Sequence, residues 1–188
     1  MSAAASRAAA PNATGGNPLW DFAVWAYDRE GVAKACLALQ DRCGADVNMI
    51  MFCLWLASRG QSNEEFAPYL NAAIELSRRW QRDFVQPLRD CRTNMKAYLN
   101  DGPADFKHRA AMTSLREQIK QCELDMERLQ IAAMYALVED TIPQMTIPAA
   151  AQRETADRNV KAYMTESGVK LDPLGQSHVQ QIVAAVFT

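Results

Sequence analysis

Apolar side chains recur along this chain at spacings of three and four residues, the period of amphipathic α-helices. The pattern predicts an all-α fold, arranged as a compact helical bundle. Two apolar runs within residues 36–60 meet at a short polar corner. Gly44 suits the left-handed residue that ends one helix, and Asp46 suits the cap of the next. We therefore expect an apolar helical hairpin near the N-terminus.

A longer antiparallel hairpin is predicted over about residues 62–140, packed on the first one. Ser62 and Glu65 have the spacing of a capping box at its start, and residues 100–103 read Asn-Asp-Gly-Pro, a strong turn. Pro87 predicts a kink in its first arm, because proline removes one helical hydrogen bond. Its second arm carries a coiled-coil-like apolar seam at alternating spacings of three and four. The seam consists of Met112, Leu115, Ile119, Cys122, Met126, Leu129, Ala133 and Ala136.

The chain divides into three expected parts: a flexible tail at 1–17, a helical bundle core at 18–142, and a loosely or partly packed C-terminal extension at 143–188. The first polar helix of the extension is expected to be only shallowly buried. The terminal apolar helix either docks on its own bundle or inserts into a groove of a partner protein. This candidate partner helix carries Val179, Ile182, Val183, Val186 and Phe187.

Composition narrows the class of protein. A formal charge of -2 and a pI of about 5.7 argue against nucleic acid as a partner, because polyanion binding needs uncompensated basic residues. Five cysteines, an odd number without a CxxC pair, predict reduced and mostly buried thiols. Neither a secretory signal nor an apolar run of membrane-spanning length is evident, so a cytoplasmic location is expected.

The polar corner is the first candidate site, and it comprises Gln40, Asp41, Asp46 and Asn48. Their oxygens suit a hard divalent cation such as Mg²⁺ or a small ligand. The alternative is structural: Gln40 and Asp41 satisfy backbone groups while Asp46 caps a helix. We assign no metal or cofactor here.

A basic row is the second candidate. Arg78, Arg82, Arg89, Arg92 and Lys96 would align along one side of a continuous helix and could receive an acidic or phosphate-rich partner. Most such rows are solvated surfaces, and Asp83 and Asp90 lie nearby.

The four tryptophans and nine methionines leave two readings open: they form either a bundle core or a pocket between helices for a small molecule or lipid. No nucleotide-binding loop, nucleophile elbow or zinc-protease motif is present.

The N-terminal block reads Trp20-x-Phe22-Ala23, then Leu39-Gln40-Asp41, Gly44-x-Asp46-Val47-Asn48 and Phe52-x-x-Trp55-Leu56-Ala57. It resembles an uncharacterised family of small proteobacterial proteins, a domain of unknown function. The resemblance implies a helical, cytoplasmic bacterial protein and brings no catalytic residue. The leading interpretation is a non-enzymatic protein that acts as an adaptor or accessory through contacts with another protein. A ligand- or metal-dependent activity at the polar corner is the alternative, and a homo-oligomer is allowed.

Overall fold

The computed structural model describes residues 16–103, 106–143 and 145–188. Within these ranges the chain forms eight α-helices and one π-helical segment, without a strand, which confirms the predicted all-α bundle. The elements are α1 (Pro18–Tyr27), α2 (Val32–Cys43), α3 (Val47–Ser58), α4 (Asn63–Trp80), the π segment (Gln81–Val85), α5 (Gln86–Asp101), α6 (Arg109–Ala136), α7 (Ala149–Ser167) and α8 (Pro173–Val186).

The turns of the N-terminal part follow the local sequence. The Asn17 side chain caps α1, although it belongs to the predicted tail, of which residues 1–15 lie outside the described ranges. Gly44 ends α2 with φ at 69°, a left-handed conformation that glycine adopts without steric cost. Asp46 then caps α3 by accepting a hydrogen bond from the backbone N–H of Asn48. Both predicted roles are confirmed.

Helix α3 is the centre of the bundle. Every residue from Asn48 to Ala57 is buried, as expected for a helix that is apolar on all sides. It packs most extensively on α7, while α2 packs most extensively on α8. The helices after residue 143 therefore supply two of the main packing partners of the N-terminal hairpin.

The first arm of the long hairpin is interrupted just before Pro87. The backbone N–H of Gln86 donates to the carbonyl of Gln81, five residues earlier, so the ladder widens by one residue. Pro87, which has no N–H, then lies in the first turn of α5, where a proline costs least. The widened turn thus accommodates the residue that the sequence marks as a break.

Helix α6 runs antiparallel to α5 and packs closely on it, which confirms the long hairpin. The apolar seam predicted for α6 is only partly correct, because Leu115 and Leu129 are 49% and 52% exposed and Cys122 is exposed too. The buried positions of α6 are instead Glu123, Gln130, Ile131 and Met134. The helix is rotated towards a face that carries polar residues, because those residues find partners on α3, the π segment and α5.

Helices α7 and α8 are firmly packed. The expectation that α7 is shallowly buried is wrong, because Asn159, Val160 and Tyr163 lie in the core. The Asn159 amide, fully buried, donates to the carbonyls of Cys53 and Gln61. The expected division of the chain into a core and an extension stays a prediction.

The cysteines differ in part from expectation. Cys36 and Cys53 are buried thiols, but Cys91 and Cys122 are exposed. Across the described ranges, each helix is too short or too polar to cross a bilayer.

Candidate functional site

A cluster of ion pairs joins α5 to α6. Arg89 Nε lies 2.8 Å from Glu123 Oε1, and a terminal nitrogen of Arg89 lies 2.7 Å from Glu127 Oε1. Arg92 Nε lies 2.6 Å from the other oxygen of Glu123. Only 8% of the Glu123 side chain is exposed, so two guanidinium groups hold one buried carboxylate.

A second network surrounds the Asp46 carboxylate, between α3, α4 and α6. Ser77 Oγ donates to Asp46 Oδ2 at 2.5 Å, and Gln130 Nε2 donates to the same oxygen at 2.5 Å. The backbone N–H of Asp46 donates to Tyr163 Oη at 2.8 Å, which ties the corner to α7. Gln130 also accepts from Asn48 Nδ2 at 3.0 Å. The corner residues are therefore held by donors from α4 and α6 and by an acceptor from α7.

Between the two networks lies a small recess of about 170 Å³. Its walls are formed by side chains from α2, α3, the π segment, α5 and α6, together with the turn around Gly44. The polar members are Gln40, Asp46, Asn48, Gln81, Gln86, Arg89 and Glu127. A volume of this size accepts a few water molecules or one small polar group.

The recess adjoins a larger groove of about 940 Å³ between α1 and α2 on one side and α5 and α6 on the other. Met51 and Ile131 contribute apolar surface from α3 and α6, and Trp20 and Trp25 contribute from α1. Four large apolar residues that line the groove are exposed: Val24 (52%), Tyr27 (36%), Leu37 (47%) and Leu124 (45%). We call these four residues the apolar rim.

The two cavities share their polar boundary. Gln40, Asn48, Arg89 and Glu127 line both of them. A molecule in the groove can therefore place its apolar part against the rim and a polar group towards the recess.

Burial controls the charges at this boundary. It raises the pKa of Glu127 to about 7; Arg89 opposes the rise, and Glu123 and Asp46 add to it. Burial also raises the pKa of Asp46, against the hydrogen bonds that favour its ionised form. For Glu123, burial is outweighed by Arg92 and Arg89, and its pKa is lowered.

The structure brings together part of each predicted site. Asp46 and Asn48 lie side by side and Gln40 lines the same recess, whereas Asp41 is exposed and lines neither cavity described here. Among the described residues, no three His, Cys, Asp or Glu side chains are grouped as metal ligands. The Asp46 carboxylate, moreover, is already surrounded by protein donors.

The basic row does not form one face. Arg89 and Arg92 point towards α6, whereas Arg82 pairs with its neighbour Asp83 at the surface. Arg78 donates to the carbonyl of Ser167, and Lys96 is exposed.

The candidate partner helix lies against its own bundle. Its five apolar residues Val179, Ile182, Val183, Val186 and Phe187 are at most 6% exposed. The helix therefore docks on its own bundle, which was one of the two alternatives left open by the sequence.

Sequence reasoning missed Glu123, Glu127 and Gln130, which form the α6 side of the site. A signal was present: Arg89 and Arg92 are three residues apart, and Glu123 and Glu127 are four apart on the following helix. Such spacings place each pair on one helix face, so an antiparallel hairpin can join them. The predicted apolar seam does not include Glu123, Glu127 or Gln130, which lie on the packed face of α6.

These features define an all-α protein with an amphipathic groove at the junction of its two hairpins. The chain matches the family described as "Protein of unknown function (DUF2390)" over residues 18–134. It belongs to this family, and the matched region contains the groove, the recess and both polar networks except Tyr163. No curated protein and no solved structure matches the chain.

Proposed function

We propose that this protein is a binding protein that takes a small amphipathic molecule into the groove between α1, α2, α5 and α6. The observation that carries this proposal is the shared boundary of an apolar groove and a polar recess. Ligand sites of proteins usually combine mostly apolar walls with a few convergent polar groups. A volume of about 940 Å³ is also of the size that such ligands need.

Exposure of the apolar rim supports the same function. Leu37 and Leu124 keep nearly half of their surface in water on opposite sides of the groove, from α2 and α6. A group of exposed apolar residues commonly marks a binding surface, whereas single exposed apolar residues are normal on protein surfaces. Covering the rim with a ligand would remove this surface from water.

A neutral apolar dye tests the proposal. N-phenylnaphthylamine should bind saturably to the full chain and quench the fluorescence of Trp20 and Trp25, which line the groove. Leu37→Gln and Leu124→Gln should each weaken binding several-fold. Leu115→Gln is the matched control, since Leu115 lies on α6 with similar exposure and does not line the groove. Dye binding that is not saturable, or that the control weakens equally, would contradict the proposal.

Contact with another protein is a second candidate, favoured by a different surface. Leu115, Cys122 and Leu129 are exposed on α6 at seven-residue spacing, which is how one helix presents itself to another in a coiled coil. The docking surfaces predicted from sequence have other contacts: the terminal helix is buried, and Arg89 and Arg92 are paired within the chain.

Light scattering at increasing protein concentration tests the case in which the partner is a second copy. A dimer that dissociates in Leu115→Lys and Leu129→Lys, but not in the groove variant Leu37→Gln, would support it. A monomer at every concentration would rule out self-pairing through this stripe.

A further inference from the structure

The two networks at the groove contain one more carboxylate than guanidinium. Glu123 and Glu127 pair with Arg89 and Arg92, whereas Asp46 accepts from neutral donors. Within the described residues no other cation is bonded to these three carboxylates. Buried charges need opposite charges close by, because burial removes their hydration. The arrangement therefore lacks one positive charge when all three carboxylates are ionised.

Glu127 is the carboxylate that lacks a full positive partner. Glu123 has both guanidinium groups, and Asp46 has neutral donors on its carboxylate. Glu127 has only a share of Arg89, through Oε1, and its Oε2 accepts no hydrogen bond from the described residues. Glu127 lines both cavities, so a group entering from the groove can reach it.

Resting on the proposed function, we propose that the groove ligand carries a positively charged nitrogen, such as an alkylammonium group, which enters the recess and pairs with Glu127. The apolar body of the ligand then lies against the apolar rim, which includes Leu37 and Leu124. Gln40 and Gln86 line the same recess, and a side-chain amide oxygen can accept further ammonium hydrogens. A charge-assisted hydrogen bond of this kind is stronger than one between neutral groups.

The ionisation of Glu127 supports this choice of head group. A proton and an ammonium group supply the same missing positive charge, so the two compete. The groups around Glu127 are Arg89 and Arg92 on α5, Glu123 on α6, Asp46 before α3 and Tyr27 on α1. Because burial raises the pKa of Glu127 to about 7, ammonium binding should strengthen as the pH rises through that value.

Three probes with the same apolar body separate the head groups: phenylbutylammonium, phenylbutanol and phenylbutyrate. Each is titrated into the full chain by calorimetry at about pH 6 and about pH 8, where the amine stays charged. At the higher pH we expect the amine to bind on the order of tenfold more tightly than the alcohol, and the acid least tightly. At the lower pH the preference for the amine should shrink.

Glu127→Gln should abolish the preference for the amine over phenylbutanol. Glu117→Gln, on an exposed side chain of the same helix, should retain the preference. The pH comparison on the unchanged protein gives the same information without a variant, so a folding defect in Glu127→Gln would not remove the test.

The outcomes separate this inference from the proposed function. If the alcohol or the acid binds as tightly as the amine, the groove binds ligands but the charge preference is refuted. If none of the three binds, both are refuted. If methylammonium binds as tightly as phenylbutylammonium, the recess holds a bare cation and the amphipathic ligand is refuted.

Discussion

Replacing Glu127 with glutamine should stabilise the protein above neutral pH, although it removes one partner of an ion pair. In the folded protein Glu127 keeps its proton up to about pH 7, because burial raises its pKa from 4.5. In the unfolded chain the proton is released near the ordinary value. The folded state therefore binds more protons between these two values, and the free energy of unfolding should fall as the pH rises through this window.

The size of the effect follows from the same two values. A difference between a pKa of 4.5 and one of about 7 corresponds to roughly 3 kcal/mol. Since 27% of the side chain is exposed, solvent screening reduces this, and we expect roughly 2 kcal/mol. Glutamine has the shape of the protonated acid and cannot ionise. Glu127→Gln should thus match the unchanged protein at about pH 4 and exceed its stability by roughly 2 kcal/mol at about pH 8.

Urea unfolding followed by circular dichroism measures this difference. Asp46 is coupled to Glu127 and Glu123 titrates in the opposite sense, so the quantity to compare is variant minus unchanged protein at each pH. Glu117→Gln, with 55% of its side chain exposed, should change little at either pH. A Glu127→Gln variant that is less stable at about pH 8 would refute the reasoning, because it would show that Arg89 outweighs the cost of burial.

Two further predictions concern the packing around the site. Ile182→Ala should lower the free energy of unfolding by about 2–5 kcal/mol in urea unfolding, because Ile182 is 1% exposed in α8. Leu174→Ala, at a 48% exposed position of the same helix, is the control. Equal small losses in the two variants would show that α8 is not docked in solution. Gly60→Ala should lower the melting temperature more than Gly44→Ala. Both residues have left-handed φ angles, so both substitutions strain the backbone. A new Cβ at Gly60 would also lie 2.9 Å from Met145 Cβ, whereas nothing lies within 4 Å of one at Gly44. Equal losses in melting temperature would show that Met145 moves away from the new Cβ at no measurable cost in stability.

Local signals in the sequence were sufficient for much of the fold. Gly44 and Asp46 mark a helix end and a helix start because a left-handed residue and a capping carboxylate act within a few residues of chain. The same holds for Ser62 and Glu65, where the Ser62 backbone N–H donates to the Glu65 carboxylate. Such contacts need no tertiary information, so the hairpin boundaries could be predicted.

The depth of helix α7 could not be predicted in this way. Its composition is polar, and the expectation of shallow burial followed from that. The structure buries Asn159 and Tyr163 because each has a specific partner, the carbonyls of Cys53 and Gln61 for the former and the backbone of Asp46 for the latter. A buried polar residue is stable when its partner is present, and that partner lies about a hundred positions away in sequence.

The position of the site depends on the π segment in a way that explains why the basic row divides. One additional residue in a helical turn rotates everything that follows by about 100° relative to a continuous helix. Arg78 and Arg82 precede or lie within the segment Gln81–Val85, whereas Arg89 and Arg92 follow it. The rotation carries the later two towards α6, where Glu123 receives both. Without it, the spacing of all four residues would keep them on one exposed side. The widened turn thus places two of the five residues of the basic row, Arg89 and Arg92, in the wall of the groove. It lies directly before a proline that already prevents a regular hydrogen bond at that point.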